Sequence, residues 1–283
     1  MRLDRFTSVD DFLAVAGGFL ADREAEHNLM LGISSTLRRN PDAYDAPPYL
    51  AAVRDADRVV AAALRTPPYN NLILSEIDDL GALDMLVDDL RGGEPMPGVV
   101  GPPEPVAAFA EQWVAAVGGS WAVALEERIY RLAQVREPAP APGDARLAVP
   151  ADRDLLERWL IEFGIEALND ADAERVRFGL DDWERSAGRR YWIWEVDGRP
   201  VSLVGAGGET PNGIRIGPVY TPMADRGNGF ASNLTAWVSH ALMREGRRFC
   251  FLYTNLANPT ANKIYQAIGY DPVTDARMVA FAG

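Results

Sequence analysis

The sequence predicts a mixed α/β fold of the α+β kind. It reads as two tandem domains, each a mixed, mostly antiparallel twisted sheet flanked by helices. Three observations carry this. Each half opens with amphipathic helical segments and turns strand-like, the second ending strand–helix–strand–helix–strand, the pattern of helices packed on a mixed sheet. A seam, Glu137-Pro138-Ala139-Pro140-Ala141-Pro142-Gly143, separates the halves; alternating proline holds neither helix nor central strand and reads as a semi-rigid extended linker. Finally, 283 residues that are 48% apolar and 24% charged can bury real cores, which excludes extended disorder. The expected domains are 1–136 and 146–283, joined by a linker at 137–145.

In the first half, Ser8 before Val9-Asp10-Asp11 reads as a helix N-cap, with Phe12, Val15, Ala16 and Phe19 on one face. A second helix is expected over 26–38. Segments 49–55 and 58–65 about Ala56-Asp57 form a hairpin, and 71–77 is a further strand. Helices follow at 80–90 and 105–117, and the Gly- and Pro-rich stretch 92–105 reads as an irregular loop. In the second half, 153–168 and 173–185 are helical in pattern. Strands are expected at 191–196, 201–207 and 214–220, the first closed by the turn Asp197-Gly198. Phe230, Leu234, Trp237, Val238, Ala241 and Leu242 keep helical spacing over 230–245, with Gly246 as the stop. A strand at 248–254, a helix at 260–268 ended by Gly269 and a strand at 278–281 complete the chain.

The composition excludes several functions. A net charge of −13, with −9 on residues 1–136 and −4 on 137–283, is the wrong sign for a nucleic-acid surface. It suits solubility first and a cationic ligand second. The longest apolar runs fall short of the ~18 residues of a membrane span, and the charged start at 1–10 has no signal-peptide stretch. One cysteine, Cys250, excludes an internal disulfide framework and a cysteine-based zinc cluster, and two histidines, His27 and His240, make a multi-histidine metal site hard to build. No metal and a cytoplasmic setting are expected. Cys250, in an apolar strand, reads as a small core residue.

The informative stretch is Val219-Tyr220-Thr221-Pro222-Met223-Ala224-Asp225-Arg226-Gly227-Asn228-Gly229-Phe230-Ala231, between a strand and an amphipathic helix. Such a turn exposes the free N–H groups of the helix start to anionic oxygens. Gly227 and Gly229 allow close backbone approach, and Arg226 adds a charge-assisted bond. No P-loop pattern occurs, and Gly205-Ala206-Gly207-Gly208 leads to a turn instead of a helix, so it fails as a dinucleotide fingerprint. Downstream stands Asn258-Pro259, then Tyr265 and Gly269-Tyr270. Together the two segments resemble the GCN5-related N-acetyltransferase (GNAT) family, whose loop [Gln/Arg]-x-x-Gly-x-[Gly/Ala] is matched by Arg226, Gly229 and Ala231. The resemblance covers about 146–283 and makes the first half a degenerate copy.

The resemblance implies an enzyme that transfers the acetyl group of acetyl-CoA to an amine by direct attack on the thioester. The acceptor, a small molecule or peptide, is expected to be cationic, with no nucleic-acid or membrane partner; a homodimer remains open. Two parallel strands, 214–220 and 248–254, would splay to admit acetyl-CoA. Val219, Tyr220 and Thr221 would line its pantetheine arm, and Arg226, Gly227, Asn228, Gly229, Phe230 and Ala231 its diphosphate; Asn258 joins the cofactor set. Tyr265 would protonate the departing sulfur. Glu209 and Glu195 are weak candidates for the base. Bland readings stand beside these: Asn258 as an N-cap, Tyr265 as a core tyrosine, and Tyr191, Trp183, Trp192 and Trp194 as core or acceptor pocket. In the first half the corresponding place is taken by Gly98-Val99-Val100-Gly101-Pro102-Pro103-Glu104-Pro105, poor in N–H donors and acidic. A non-catalytic acyl-CoA-binding regulatory module is the alternative.

Overall fold

The computed structural model describes residues 1–44, 46–168, 172–185 and 188–283. The chain forms two compact units, the first made of 1–129 with 273–283 and the second of 130–272.

The first unit opens with β1 (Arg2–Phe6), α1 (Val9–Asp22) and α2 (Asn28–Arg39). Ser8 caps α1 as expected, its Oγ accepting the N–H groups of Asp10 and Asp11 at 3.2 and 3.4 Å. The hairpin β2 (Tyr49–Asp55) and β3 (Arg58–Arg65) turns at Ala56, whose φ is +52°. Then come β4 (Leu72–Leu74), α3 (Ala82–Leu90), β5 (Gly98–Gly101), α4 (Pro103–Val117) and β6 (Ser120–Leu132), whose residues from Tyr130 on belong to the second unit. The strands from β1 to β4 pair antiparallel in order, and β4 pairs parallel with β5. Both sheet faces are covered: Ala51 and Val53 join the cluster under α3 and α4, Leu50 and Ala52 the one under α1 and α2.

The second unit contains β7 (Asp144–Leu147), α5 (Arg153–Phe163), a π-turn over Gly164–Leu168, α6 (Ala173–Arg185), β8 (Arg189–Val196), β9 (Arg199–Glu209) and β10 (Gly213–Tyr220). It continues with α7 (Phe230–Arg244), β11 (Phe249–Asn255) and α8 (Pro259–Ile268). Its strands run in the order β11-β10-β9-β8-β7, antiparallel except for the β10–β11 pair. Alternation along β8 splits its aromatics between two cores. Trp192 and Trp194 face the cluster of α7, and Tyr191 and Ile193 that of α5 and α6. The core reading of those tryptophans therefore holds, with Trp183 edge-on to Tyr191 at 5.8 Å.

Several expectations are corrected. The last strand is β12 (Asp271–Ala282), and its second half pairs antiparallel with β5, Arg277 opposite Gly101 and Ala280 opposite Gly98. Residues 273–283 thus belong to the first unit, and the cut after residue 129 falls ahead of the seam. The expected linker is docked on the second unit: Ala139 O accepts Asn233 Nδ2 at 3.0 Å and Pro142 O accepts Trp194 Nε1 at 2.8 Å. A Cβ on Gly143 would lie 2.1 Å from Glu195 O, so the glycine serves close approach and not flexibility. Within the expected loop at 92–105 lies β5, whose glycines answer the same demand: a Cβ on Gly98 would stand 2.1 Å from Val279 O. Strands β1 and β6 had no local signature. Among the described residues no helix is long and apolar enough to cross a membrane, and no cluster of three or more His, Cys, Asp or Glu is placed to hold a metal.

Candidate active site

The parallel pairing of β10 with β11 stops early. Gly213, Ile214 and Arg215 stand opposite Phe249, Cys250 and Phe251, and both strands then run on unpaired with each other, β10 to Tyr220 and β11 to Asn255. The cause is a bulge against β9. Ile216 faces Ala206 and Val219 faces Val204, so Gly217 and Pro218 together oppose Gly205. A bulge bends its strand, and proline withholds an N–H from the ladder. A Cβ on Gly205 would lie 2.8 Å from Gly217 O; this glycine makes room for the bulge. Buried Ser202 clasps the end of β10, its Oγ donating to Tyr220 O at 3.1 Å and sharing a 2.8 Å bond with Thr221 Oγ1. With Tyr220 O turned toward β9, alternation sends the backbone polar groups of Val219 and Thr221 to the other, splayed edge.

Beyond β10 the chain makes a tight turn over Met223–Asp225. Buried Asp225 fixes it by a bidentate pair with Arg199 at 2.8 and 3.0 Å, and Asn228 Nδ2 donates to Asp225 O at 3.0 Å. Gly227 and Gly229 adopt φ of +82° and +80°, a region costly for any residue with a Cβ. Gly229 is the N-cap of α7, which has no side-chain cap and no acidic residue in its first turn. The first backbone bond of α7 runs from Asn233 N–H to Gly229 O at 3.0 Å, so the N–H groups of Phe230, Ala231 and Ser232 precede the intrahelical ladder. A Cβ on Gly227 would meet nothing within 4 Å. Open space, aligned amides and the positive helix end are what a diphosphate requires; the residues fit an acyl-CoA.

Arg226 already has partners of its own. Its Nη2 donates to Glu166 Oε2 at 2.5 Å and its Nε to Thr221 O at 2.9 Å. The guanidinium is thus engaged by a carboxylate, and it occupies one of the carbonyls expected to meet the pantetheine arm. Asn258 is the N-cap of α8, its Oδ1 accepting Ala261 N–H at 3.0 Å ahead of Pro259. Tyr265, about two turns along, is 8% exposed and packs edge-on to Tyr270 at 6.0 Å within the α7 core. Burial pushes its phenol well above the usual tyrosine value, so it keeps its proton at neutral pH. The core reading is correct, and a proton donor needs the same protonated phenol.

Neither expected base stands free at the splayed end. Glu209 lies opposite Ile214, where β10 and β11 are still paired, and is ion-paired with Arg247. Glu195 is on β8, two strands from β10 and so roughly 10 Å away, and is held by Arg146 at 2.8 Å. The carboxylates at the splayed end were missed. The Tyr220 hydroxyl donates to Glu162 Oε2 at 2.9 Å and has Glu166 Oε1 at 3.3 Å. Burial first, then the bond to Glu162, pushes the Tyr220 phenol above its usual value, so it remains a donor. Among the described residues Glu162 has no cationic partner. The available signal was spacing: two glutamates four apart repel on one helix face and persist where something else holds them.

The first unit has a parallel pair of its own but a different turn after it. Its parallel pair is β4–β5, and the turn from β4 to α3 is Ser75-Glu76-Ile77-Asp78-Asp79-Leu80-Gly81. The stretch 98–105 is β5 and the start of α4, so the comparison of that stretch with the second unit's loop is corrected. The true counterpart is filled: Asp79 Oδ1 accepts Gly81 N–H at 3.0 Å, and His27 Nε2 accepts Glu76 N–H at 3.0 Å.

Comparison with known proteins agrees with this geometry. Residues 153–270 match the family model described as the acetyltransferase (GNAT) family. Comparison with curated protein sequences finds no significant match. Among solved structures, the chain is similar to a Drosophila protein at 12% identity, covering 99% of this chain and 98% of that one, with a TM-score of 0.69. It is similar to a GCN5-related N-acetyltransferase from Kribbella flavida at 14% identity, 79% and 87% coverage and a TM-score of 0.57. A tandem GNAT protein from the clavulanic acid biosynthesis pathway aligns at 14% identity over 100% and 98% of the two chains, with a TM-score of 0.55.

Proposed function

We propose that this chain, whose residues 153–270 form a GNAT-family domain, is an N-acetyltransferase that moves the acetyl group of acetyl-CoA to a cationic amine. The observation that carries the reading is the uncapped, glycine-lined start of α7 beside the splayed end of β10. Acetyl-CoA supplies, when bound, an activated thioester carbonyl. The protein's own groups do the rest. Amides over 227–231 hold the diphosphate without desolvating a side chain. The outward edge of Val219 and Thr221 offers backbone pairing to the pantetheine arm, and Val219 N–H serves the developing oxyanion.

Two proton movements remain. An acceptor ammonium must lose a proton before its nitrogen attacks. Glu162, which has no cationic partner among the described residues and is held by Tyr220, accepts it in place of Glu209 and Glu195. The departing sulfur must gain one, and Tyr265, kept protonated by burial, donates it. Asn258 acts by capping α8 and so setting the place of Tyr265. The first unit, whose turn amides at Gly81 and Glu76 are taken by Asp79 and His27, is read as a degenerate copy that takes no acyl-CoA.

Calorimetry with acetyl-CoA, followed by thiol release over a panel of mono-, di- and polyamines, tests the reading. Binding with release on at least one cationic amine is expected. Binding without release on any amine supports the regulatory acyl-CoA-binding module, and no binding removes both. Glu162→Gln should lower kcat/KM about a hundredfold, with acetyl-CoA affinity little changed.

A further inference from the structure

The loop's one cation is already taken. Arg226, three residues ahead of the N-cap Gly229, gives Nη2 to Glu166 at 2.5 Å and Nε to Thr221 O at 2.9 Å, with its guanidinium carbon 6.0 Å from the Tyr220 ring centroid. Arg226 and Glu166 are 43% and 41% exposed in their side chains, so the pair is screened by water and weak. Glu166 sits on the π-turn after α5, and Arg226 on the loop that opens to the uncapped amides of α7. A diphosphate seated on those amides presents several anionic oxygens to the same guanidinium, against the single carboxylate that holds it otherwise. Planar guanidinium groups favour such multi-oxygen partners.

We infer that Glu166 is a self-competitor for the coenzyme's diphosphate: it holds Arg226 in the empty protein, and cofactor binding draws Arg226 away. This rests on the acyl-CoA reading above and adds a specific cost to it. Two consequences are built into the geometry. When Arg226 leaves, Thr221 O is freed on the edge where the pantetheine arm would pair. Glu166 is left without its cation at 3.3 Å from the Tyr220 hydroxyl, which already serves Glu162, so negative charge rises at that end only after the cofactor is seated. Glu166 is a positioning residue in this scheme, acting through Arg226.

The sign of one substitution decides the matter. If Glu166 merely anchored the loop, Glu166→Gln would weaken coenzyme A binding; if it competes, the same change tightens it. Calorimetry of the full chain with coenzyme A should show Glu166→Gln binding about two- to fivefold tighter than wild type, the range of an exposed ion pair. The gain should vanish in an Arg226→Met background, since a general field effect would persist there. Pantetheine, which lacks the diphosphate, should gain nothing from Glu166→Gln. Equal or weaker binding by Glu166→Gln, or the same gain without Arg226, overturns the competition while leaving the transferase reading intact. A wild-type chain that takes up no coenzyme A overturns both.

Discussion

Two turns in this molecule leave the first strand of a parallel pair and enter a helix, and they have opposite chemistry. The one after β10 carries Arg226, two left-handed glycines and no acid in the first turn of its helix. The one after β4 carries Glu76, Asp78 and Asp79, and Asp84 follows in the first turn of α3. Neither helix start has a side-chain cap on its N-cap glycine, but in the first unit Asp79 Oδ1 accepts the N–H of Gly81 and the carbonyls of Asp79 and Leu80 accept those of Ala82 and Leu83, whereas in the second the intrahelical bonds begin only at Asn233. The helices after the second parallel strands differ too: α8 holds Tyr265, whereas α4 has no tyrosine. The scaffold alone therefore does not make an anion site. What differs is whether the chain's own groups, backbone or side chain, have already satisfied the amides.

The largest effect should fall on Tyr265, the proposed proton donor, which has no counterpart on α4. Tyr265→Phe should lower kcat by about a hundredfold or more while leaving acetyl-CoA affinity within about twofold, measured by thiol release and calorimetry. Next come the two glycines at the helix starts. Gly229→Val forces a branched residue to φ +80° and should weaken acetyl-CoA by about tenfold or more. Gly81 has an ordinary helical φ of −60°, so Gly81→Val should leave that affinity unchanged; a loss there would mean that the first unit binds the cofactor.

A smaller effect concerns acid stability of the first unit. His27 is buried, its ring nitrogens bonded to Leu20 O at 3.1 Å and to Glu76 N–H at 3.0 Å. The second bond needs an unprotonated Nε2. Burial lowers its pKa, so the unfolded chain takes up a proton first as pH falls below about 6.5. The first unit is stabilised by neutral His27 above that pH and loses that stability as pH falls through the lowered value. Glu76, whose pKa burial raises, works in the opposite sense as it protonates. Hydrogen exchange at residues 20–31 should show protection falling from pH 7 to 5.5, and His27→Gln should be less protected at pH 7 but flatter with pH. Parallel slopes in the two proteins would contradict this.

Features written in local sequence were legible, and features made by distant pairing were not. Helix α7 followed from its apolar period, and the caps of α1 and α8 from Ser8 and Asn258-Pro259; the left-handed φ of Gly227 and Gly229 was not read from the sequence. Strand β5 reads as loop because its flanking glycines look like turn residues, yet they are imposed by Val279 O and Leu74 O pressing on them. The unit to which β12 belongs is set by its register with β5, which no window of sequence contains. The Pro/Ala seam looked like a free linker because its partners, Asn233 and Trp194, lie far along the chain. For the same reason Glu162 and Glu166 went unnoticed: only the fold brings them to Tyr220 and Arg226.

The contrast between the two turns has a direct test in a titration of coenzyme A into isotope-labelled protein, followed by backbone amide resonances. The account predicts large shifts for the N–H groups of residues 227–231 and none for 76–81. Still resonances at 227–231, or movement at 76–81, would contradict it.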